Sequence, residues 1–249
     1  MTFHSNNLAS NIMQLPAKAW YRLRSEGLIG MFVWVTHQIH WRMTESRLGV
    51  DTSHSNDASW SRNDGENHCY EAINTKCFED IISFLDIEPN VDVFMDVGCG
   101  KGRAVILAAF KPFKKVYGLE RCHELVTIAR ENVRLVGSRA CCPIEIVDGC
   151  ATETDLPDEV NILFLFNPFS GTVLKSFLEK VKSSLARRPR KLQIAYVLPI
   201  ADPNELSMIN WLQIVSEIPP GYMTMDRCFI YSTRRNNTTF KNGDNDGGE

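Results

Sequence analysis

The chain has 249 residues, of which 44% are hydrophobic and 23% charged, with a formal net charge of -3. Those values describe an ordinary soluble globular protein, long enough for one large domain or a domain with an extension. The balance of charge supplies no global basic field and so argues against a general nucleic-acid binder. The eight cysteines include no C-x-x-C pair, and no secretory signal opens the sequence, so reduced thiols in a cytoplasmic setting are expected. Cys141-Cys142, the one adjacent pair, is read as small buried residues near a strand start rather than a metal or redox site.

Residues 1–17 are polar, end near Pro16 and read as a loose arm. From 18 to 47, Trp20, Leu23, Leu28, Met31, Phe32, Val35 and Ile39 recur at helical spacing, with Gly27 and Gly30 as points of break or kink. The apolar centre 28–35 is too short to span a bilayer, which takes about 20 residues. Lys18, Arg22, Arg24, Arg42 and Arg47 flank it, against Glu26 and Glu45. Two uses stay open: a helix docked on its own domain or on a second copy, and a peripheral contact with an anionic membrane. Residues 51–67 are rich in Ser, Asn and Asp and read as a linker. Tyr70–Leu85 is a second helix candidate, with Ile73, Cys77, Ile81, Ile82 and Leu85 inward.

Beyond Pro89 the hydrophobic period switches regularly. Strands are expected at 91–97, 115–120, 143–148, 161–167, 191–198, 212–218 and 227–233, and helices at 102–110, 122–136, 171–186 and 203–211. Alternating strands and helices predict an α/β fold with a doubly wound, mostly parallel sheet. The short link around Pro219-Pro220-Gly221 cannot hold a parallel crossover, so the last two strands are expected to run antiparallel. The chain divides into an N-terminal helical extension and polar linker (1–69), a main domain (70–233) and a polar, disordered tail (234–249).

The stretch 91–109, VDVFMDVGCGKGRAVILAA, organises the rest. It reads as a buried strand, a glycine turn and a buried helix. Gly98, Gly100 and Gly102 let a ligand approach the main chain with no Cβ in the way, and in an open α/β sheet ligands bind at this end of the first strand. The dinucleotide fingerprint G-x-G-x-x-G/A fails here because Arg103 holds the last small position, and the P-loop pattern is absent. Asp-x-Gly-x-Gly-x-Gly after a strand, from Asp96, resembles the first motif of the class I S-adenosylmethionine-dependent methyltransferases. The stretches 47–52 (RLGVDT), 70–85, GCGKGR and 164–169 (FLFNPF) together resemble a bacterial set of that family whose substrate is poorly defined.

The resemblance implies a seven-stranded Rossmann-like sheet with one antiparallel strand, and S-adenosylmethionine as cofactor. Asp96, Gly98, Gly100 and Gly102 would form its floor. Glu120, about 20 positions beyond the glycine turn, suits a bidentate acceptor for ribose hydroxyls, whether of this cofactor or of NAD. Asp148, at the end of the third strand, would meet the adenine amino group, or would simply form an Asp-Gly turn. Tyr70, with Glu71, would belong to a loop closing over the cofactor, or would start a helix. Asn167-Pro168-Phe169 resembles the Asn-Pro-Pro-Phe/Tyr signature of enzymes that methylate amide or amino nitrogens, with one proline where the signature has two. It implies a methyl-transfer site in which Asn167 and the Pro168 region hold the nucleophile and Phe169 stacks on it.

The expected activity is therefore transfer of a methyl group from S-adenosylmethionine to an acceptor the sequence does not identify, with a nitrogen nucleophile weakly preferred. A nicotinamide-dependent oxidoreductase and a non-catalytic scaffold on the same fold are the alternatives. No metal site and no general base is assigned, and His123 is expected on the surface.

Overall fold

A computed structural model describes residues 7–53, 65–66, 68, 70–197, 206, 209–218 and 227–234. Most of the expected helix 203–211, the link around 219–221, the tail from 235, much of the linker, Cys69 and the side chains of Trp20 and Trp34 lie outside the described residues.

Seven strands form one sheet in the order β3-β2-β1-β4-β5-β7-β6. They are β1 (Val93–Val97), β2 (Lys115–Glu120), β3 (Ile144–Asp148), β4 (Ile162–Phe166), β5 (Gln193–Val197), β6 (Leu212–Ile218) and β7 (Cys228–Thr233). The first five pair in parallel, and β7 runs antiparallel to both β5 and β6. The chain winds outward from β1 to β3, then returns to lay β4 on the other side of β1. In open α/β sheets such a reversal is where ligands bind, at the carboxyl ends of the strands, here β1 and β4.

Alternation along β1 explains why the strand has two apolar faces. Phe94 packs with Phe78, Phe113, Val105 and Phe164 on one face, while Val93, Met95 and Val97 pack with Leu163, Leu165 and Tyr231 on the other. A strand covered on both sides needs this unbroken run. Helices α3 (Arg103–Ala109) and α4 (His123–Val136) cover the Phe94 face, and α5 (Gly171–Arg187) covers the opposite one.

Helix α1 spans Asn7–Leu48 with a break at Gly27, whose φ of 71° and ψ of -172° are not helical. Gly27 therefore acts as the expected kink and Gly30 does not. Residues 7–17, expected as a loose arm, are helical. Helix α2 covers Thr75–Ser83 and begins five residues later than expected. The Asn74 side chain accepts hydrogen bonds from Lys76 N (2.8 Å) and Cys77 N (3.3 Å), a standard N-cap that leaves 70–74 outside the helix. Cys141 is exposed and Cys142 half-buried, so that pair is not the buried feature expected.

Candidate active site

Three carboxylates share one face of the sheet. Asp96 aligns with Gly118 across β1 and β2, and Glu120, two residues further, aligns with Asp148 across β2 and β3. With a side-chain period of two, Asp96, Glu120 and Asp148 all point to the Phe94 side, at the carboxyl ends of adjacent strands. Their environments differ. Asp96 is 4% exposed, and no hydrogen-bond donor among the described residues reaches it. Burial, then the neighbouring Glu120 charge, pushes its carboxyl up from 3.8 to about 8. Glu120 accepts from Gly100 N (2.9 Å) and Cys122 N (2.8 Å), and burial still raises it. Asp148 is exposed and pairs with His123 Nδ1 at 2.7 Å.

The glycine turn fits between two neighbours. Gly98 has φ of 78°, and a Cβ there would lie 2.6 Å from Pro168 Cβ. Gly100 has φ of 54°, and a Cβ would lie 2.1 Å from the Tyr70 ring. Both positions need glycine for conformation and for space. Gly102 caps α3 and turns toward Ala129 of α4, away from this cluster.

Asn167 follows β4 in a left-handed conformation, φ 44°. Its Oδ1 is buried without a hydrogen-bond partner, a state that costs about 1–3 kcal/mol and marks a group held for something other than stability. Contact at Gly98 brings Pro168 against the cofactor turn. Phe169 does not offer a free ring: it is 5% exposed and packs edge-on against Phe177, centroids 5.7 Å apart, in the core of the opposite face. The stacking platform expected of it is absent because the chain turns that side chain inward after Pro168.

Glu66, His68 and Tyr70, before α2, each contact this region. Glu66 O accepts from Ser170 N (3.0 Å), and the Glu66 carboxylate accepts from Val173 N (2.9 Å) and the Thr172 hydroxyl (2.7 Å) at the start of α5. His68 N donates to Pro168 O (3.1 Å), and His68 Nδ1 lies 2.8 Å from Asn167 O. A carbonyl only accepts, so Nδ1 carries the proton in that bond, and the Nε2 of the neutral ring is left as an acceptor. Tyr70 is buried on Gly100, and its hydroxyl donates to Thr52 O (2.7 Å). Tyr70 thus lies outside a helix and against the glycine turn.

The two basic residues of GCGKGR hold the segment behind. Arg103 donates to Thr52 Oγ1 (2.9 Å), Thr52 O (3.1 Å) and Ile73 O (3.2 Å), sits 3.6 Å from Glu45 and stacks 4.7 Å over Trp41. Lys101 Nζ donates to Ser53 O (2.7 Å) and pairs with Asp51. Asn132 of α4 bridges the Asp51 backbone and Lys101 O. In this chain the network joins 51–53 to the glycine turn through Lys101 and Arg103.

Sequence reasoning missed Glu66, His68 and Thr52. They sit in a stretch with the composition of a linker, and only their partners give them a role. The Asn74 cap was the one local signal that the residues before it stay outside the helix.

Residues 95–186 match the family model described as methyltransferase domain. That span begins in β1 and ends in α5, so it contains Asp96, the glycine turn, Glu120, Asp148 and Asn167. A comparison with the curated proteins finds no match. Among solved structures, one from Pyrococcus horikoshii, described as a "putative RNA methyltransferase", aligns at 16% identity and a TM-score of 0.52, over 79% of this chain and 97% of its own. An RNA methyltransferase from Salinibacter ruber bound to S-adenosyl-L-homocysteine aligns at 18% identity and 0.49, over 66% of this chain and 95% of its own. A SAM-dependent methyltransferase from Aquifex aeolicus gives 18% and 0.47, over 63% and 88%. The likeness to the first of these shows a shared fold, the Rossmann-like methyltransferase fold.

The domain match and this fold support an enzyme of the S-adenosylmethionine-dependent methyltransferase class, with S-adenosylmethionine as cofactor. The residues fit that ligand. A buried carboxyl raised by a second carboxylate beside it calls for a cationic group, and S-adenosylmethionine carries a sulfonium and an ammonium. A phosphate-bearing dinucleotide would bring further negative charge to the same place.

Proposed function

We propose that this chain methylates a nitrogen nucleophile, with Asn167 orienting the acceptor and His68 taking the proton. The observation that carries the reading is Asn167 Oδ1, a buried acceptor without a partner, on a left-handed residue whose neighbour Pro168 touches the glycine turn. An atom of that kind is satisfied by an N–H donor. S-adenosylmethionine, when bound, would supply a methyl group already activated by its sulfonium. Asp96 and Glu120 would hold the cofactor's cationic and ribose ends, and the backbone of Gly98–Gly100 would lie beneath it.

What is left for the chain is positioning, exclusion of water and one proton. Positioning can lower the barrier by about 7–11 kcal/mol. Glu66, His68 and Tyr70 would help to exclude water from the site. An amine that becomes methylated sheds a proton, and His68, tied to Asn167 O through Nδ1, would take it on Nε2.

The test starts with calorimetric titration of S-adenosylmethionine and, in parallel, NADH, with Glu120→Ala as control. Saturable binding of the methyl donor, lost in the variant, supports the cofactor site. A labelled-methyl screen against amine, amide and hydroxyl acceptors then reads the acceptor. Product with label on oxygen or carbon overturns the nitrogen assignment. NADH binding without methyl-donor binding overturns the class.

A further inference from the structure

The second half of α1 carries an apolar stripe that its own domain does not cover. Leu28, Phe32, Val35, Ile39 and Met43 are spaced by four, three, four and four residues, which places them on one helix face. Leu28, Phe32, Ile39 and Met43 are 71%, 67%, 54% and 55% exposed, and Ile29 beside them is 74% exposed. The stripe runs about 22 Å along the helix axis. The opposite face is the one that docks: Trp41 and Glu45 are buried, Trp41 under Arg103 and Glu45 on Thr52 and Arg103. The outward direction of the stripe is thus fixed by a buried network on its back.

Charge selects what covers it. Arg24 lies one turn before Leu28, Arg42 one turn after Ile39, and Arg47 near the helix end, and all three are exposed. Glu45 is the one carboxylate among the described side chains of the helix, and it is buried. Two copies laid stripe to stripe would bring arginines together with no exposed acid among the described side chains of the helix to answer them. A surface that is apolar below and anionic above suits the pattern.

We propose that this face of α1 lies on an anionic lipid surface, with Leu28, Phe32, Ile39 and Met43 entering the acyl boundary and Arg24 and Arg42 meeting the headgroups. No helix among the described residues is long and apolar enough to cross a membrane, so the contact is peripheral. It also keeps the docking face, and with it the Thr52–Tyr70 contact at the glycine turn, free of the lipid.

The test is flotation of the full chain with phosphatidylcholine vesicles, with and without phosphatidylglycerol. The expected result is binding to the anionic vesicles alone, about thirty-fold weaker in Arg24→Gln/Arg42→Gln and abolished in Phe32→Glu/Ile39→Glu. Both variants should melt as the wild type does, since none of the four side chains is buried. Equal binding to neutral vesicles, or no flotation with either, overturns the proposal. So does a dimer in light scattering that Phe32→Glu/Ile39→Glu dissolves, because the face then takes a second copy of the chain.

Discussion

Asp96→Asn should stabilise the ligand-free protein while removing its affinity for the methyl donor. In the folded chain the Asp96 carboxyl is held up at about 8 by burial and by Glu120, whereas in the unfolded chain it ionises near 3.8. Between those values the folded state keeps a proton that the unfolded state has released. Stability therefore falls as pH rises through that window, by about 1.36 kcal/mol per pH unit. At pH 7, about three units above the unfolded value, the cost is about 4 kcal/mol. Asparagine has the same shape and no charge to lose. For a chain of this size each kcal/mol moves the melting temperature by about 2–4 °C, so a gain of about 8–16 °C is expected at neutral pH. The raised Glu120 acts with the same sign. The assay is thermal melting of both proteins from about pH 5 to about pH 8, with a calorimetric titration of S-adenosylmethionine on each. The gap should widen with pH, and the variant should not bind. A variant that melts at or below the wild type at pH 7, or a gap that ignores pH, would refute the reasoning that a buried, donor-free carboxylate is kept here for a ligand.

Three further outcomes are expected. Gly100→Ala would place a methyl 2.1 Å from the Tyr70 ring in a left-handed conformation, costing about 2–4 kcal/mol in chemical denaturation; pairing it with Tyr70→Ala should recover part of that loss, and strictly additive losses would deny the contact. Arg103→Met would leave Glu45 buried with its cation gone, a change that costs about 3–5 kcal/mol; a double-mutant cycle with Glu45→Gln should show coupling, and a coupling near zero would mean that the ion pair at 3.6 Å contributes nothing. His68→Asn can keep a donor where Nδ1 stands while losing the Nε2 acceptor. It should therefore melt like the wild type and bind the methyl donor, with turnover down about 10²–10⁴-fold; unchanged turnover would remove His68 from the proton path.

The elements of the sheet were legible because they are local. Strand β1 is an unbroken apolar run since both its faces are covered, and the predicted strands 115–120 and 212–218 have the same bounds in the structure. Asp96, the glycines and Glu120 were legible for a related reason: a strand end, a turn and a second strand end fall at fixed intervals in a βαβ unit. Phe169 was misread as a free platform because sequence gives its distance from Asn167 but not which side of the sheet its ring takes. Tyr70 reads as a helix start because a helix pattern runs through it, and the Asn74 cap places it before the helix.

By itself the sequence determined an α/β chain, a glycine turn that excludes the dinucleotide and P-loop patterns, and acids at the ends of successive strands. Tertiary structure alone decided that Arg103 and Lys101 hold residues 51–53, that Tyr70 lies on Gly100, that Glu66 bonds the start of α5 and that His68 bonds the Asn167–Pro168 turn. The periodicity that reveals a helix or strand acts over a few residues. These contacts join positions separated by 30 to 107 residues, and most of them run between polar side chains and loop backbone that carry no period at all. The chain specifies them through its packing, so they are readable only where the packing is.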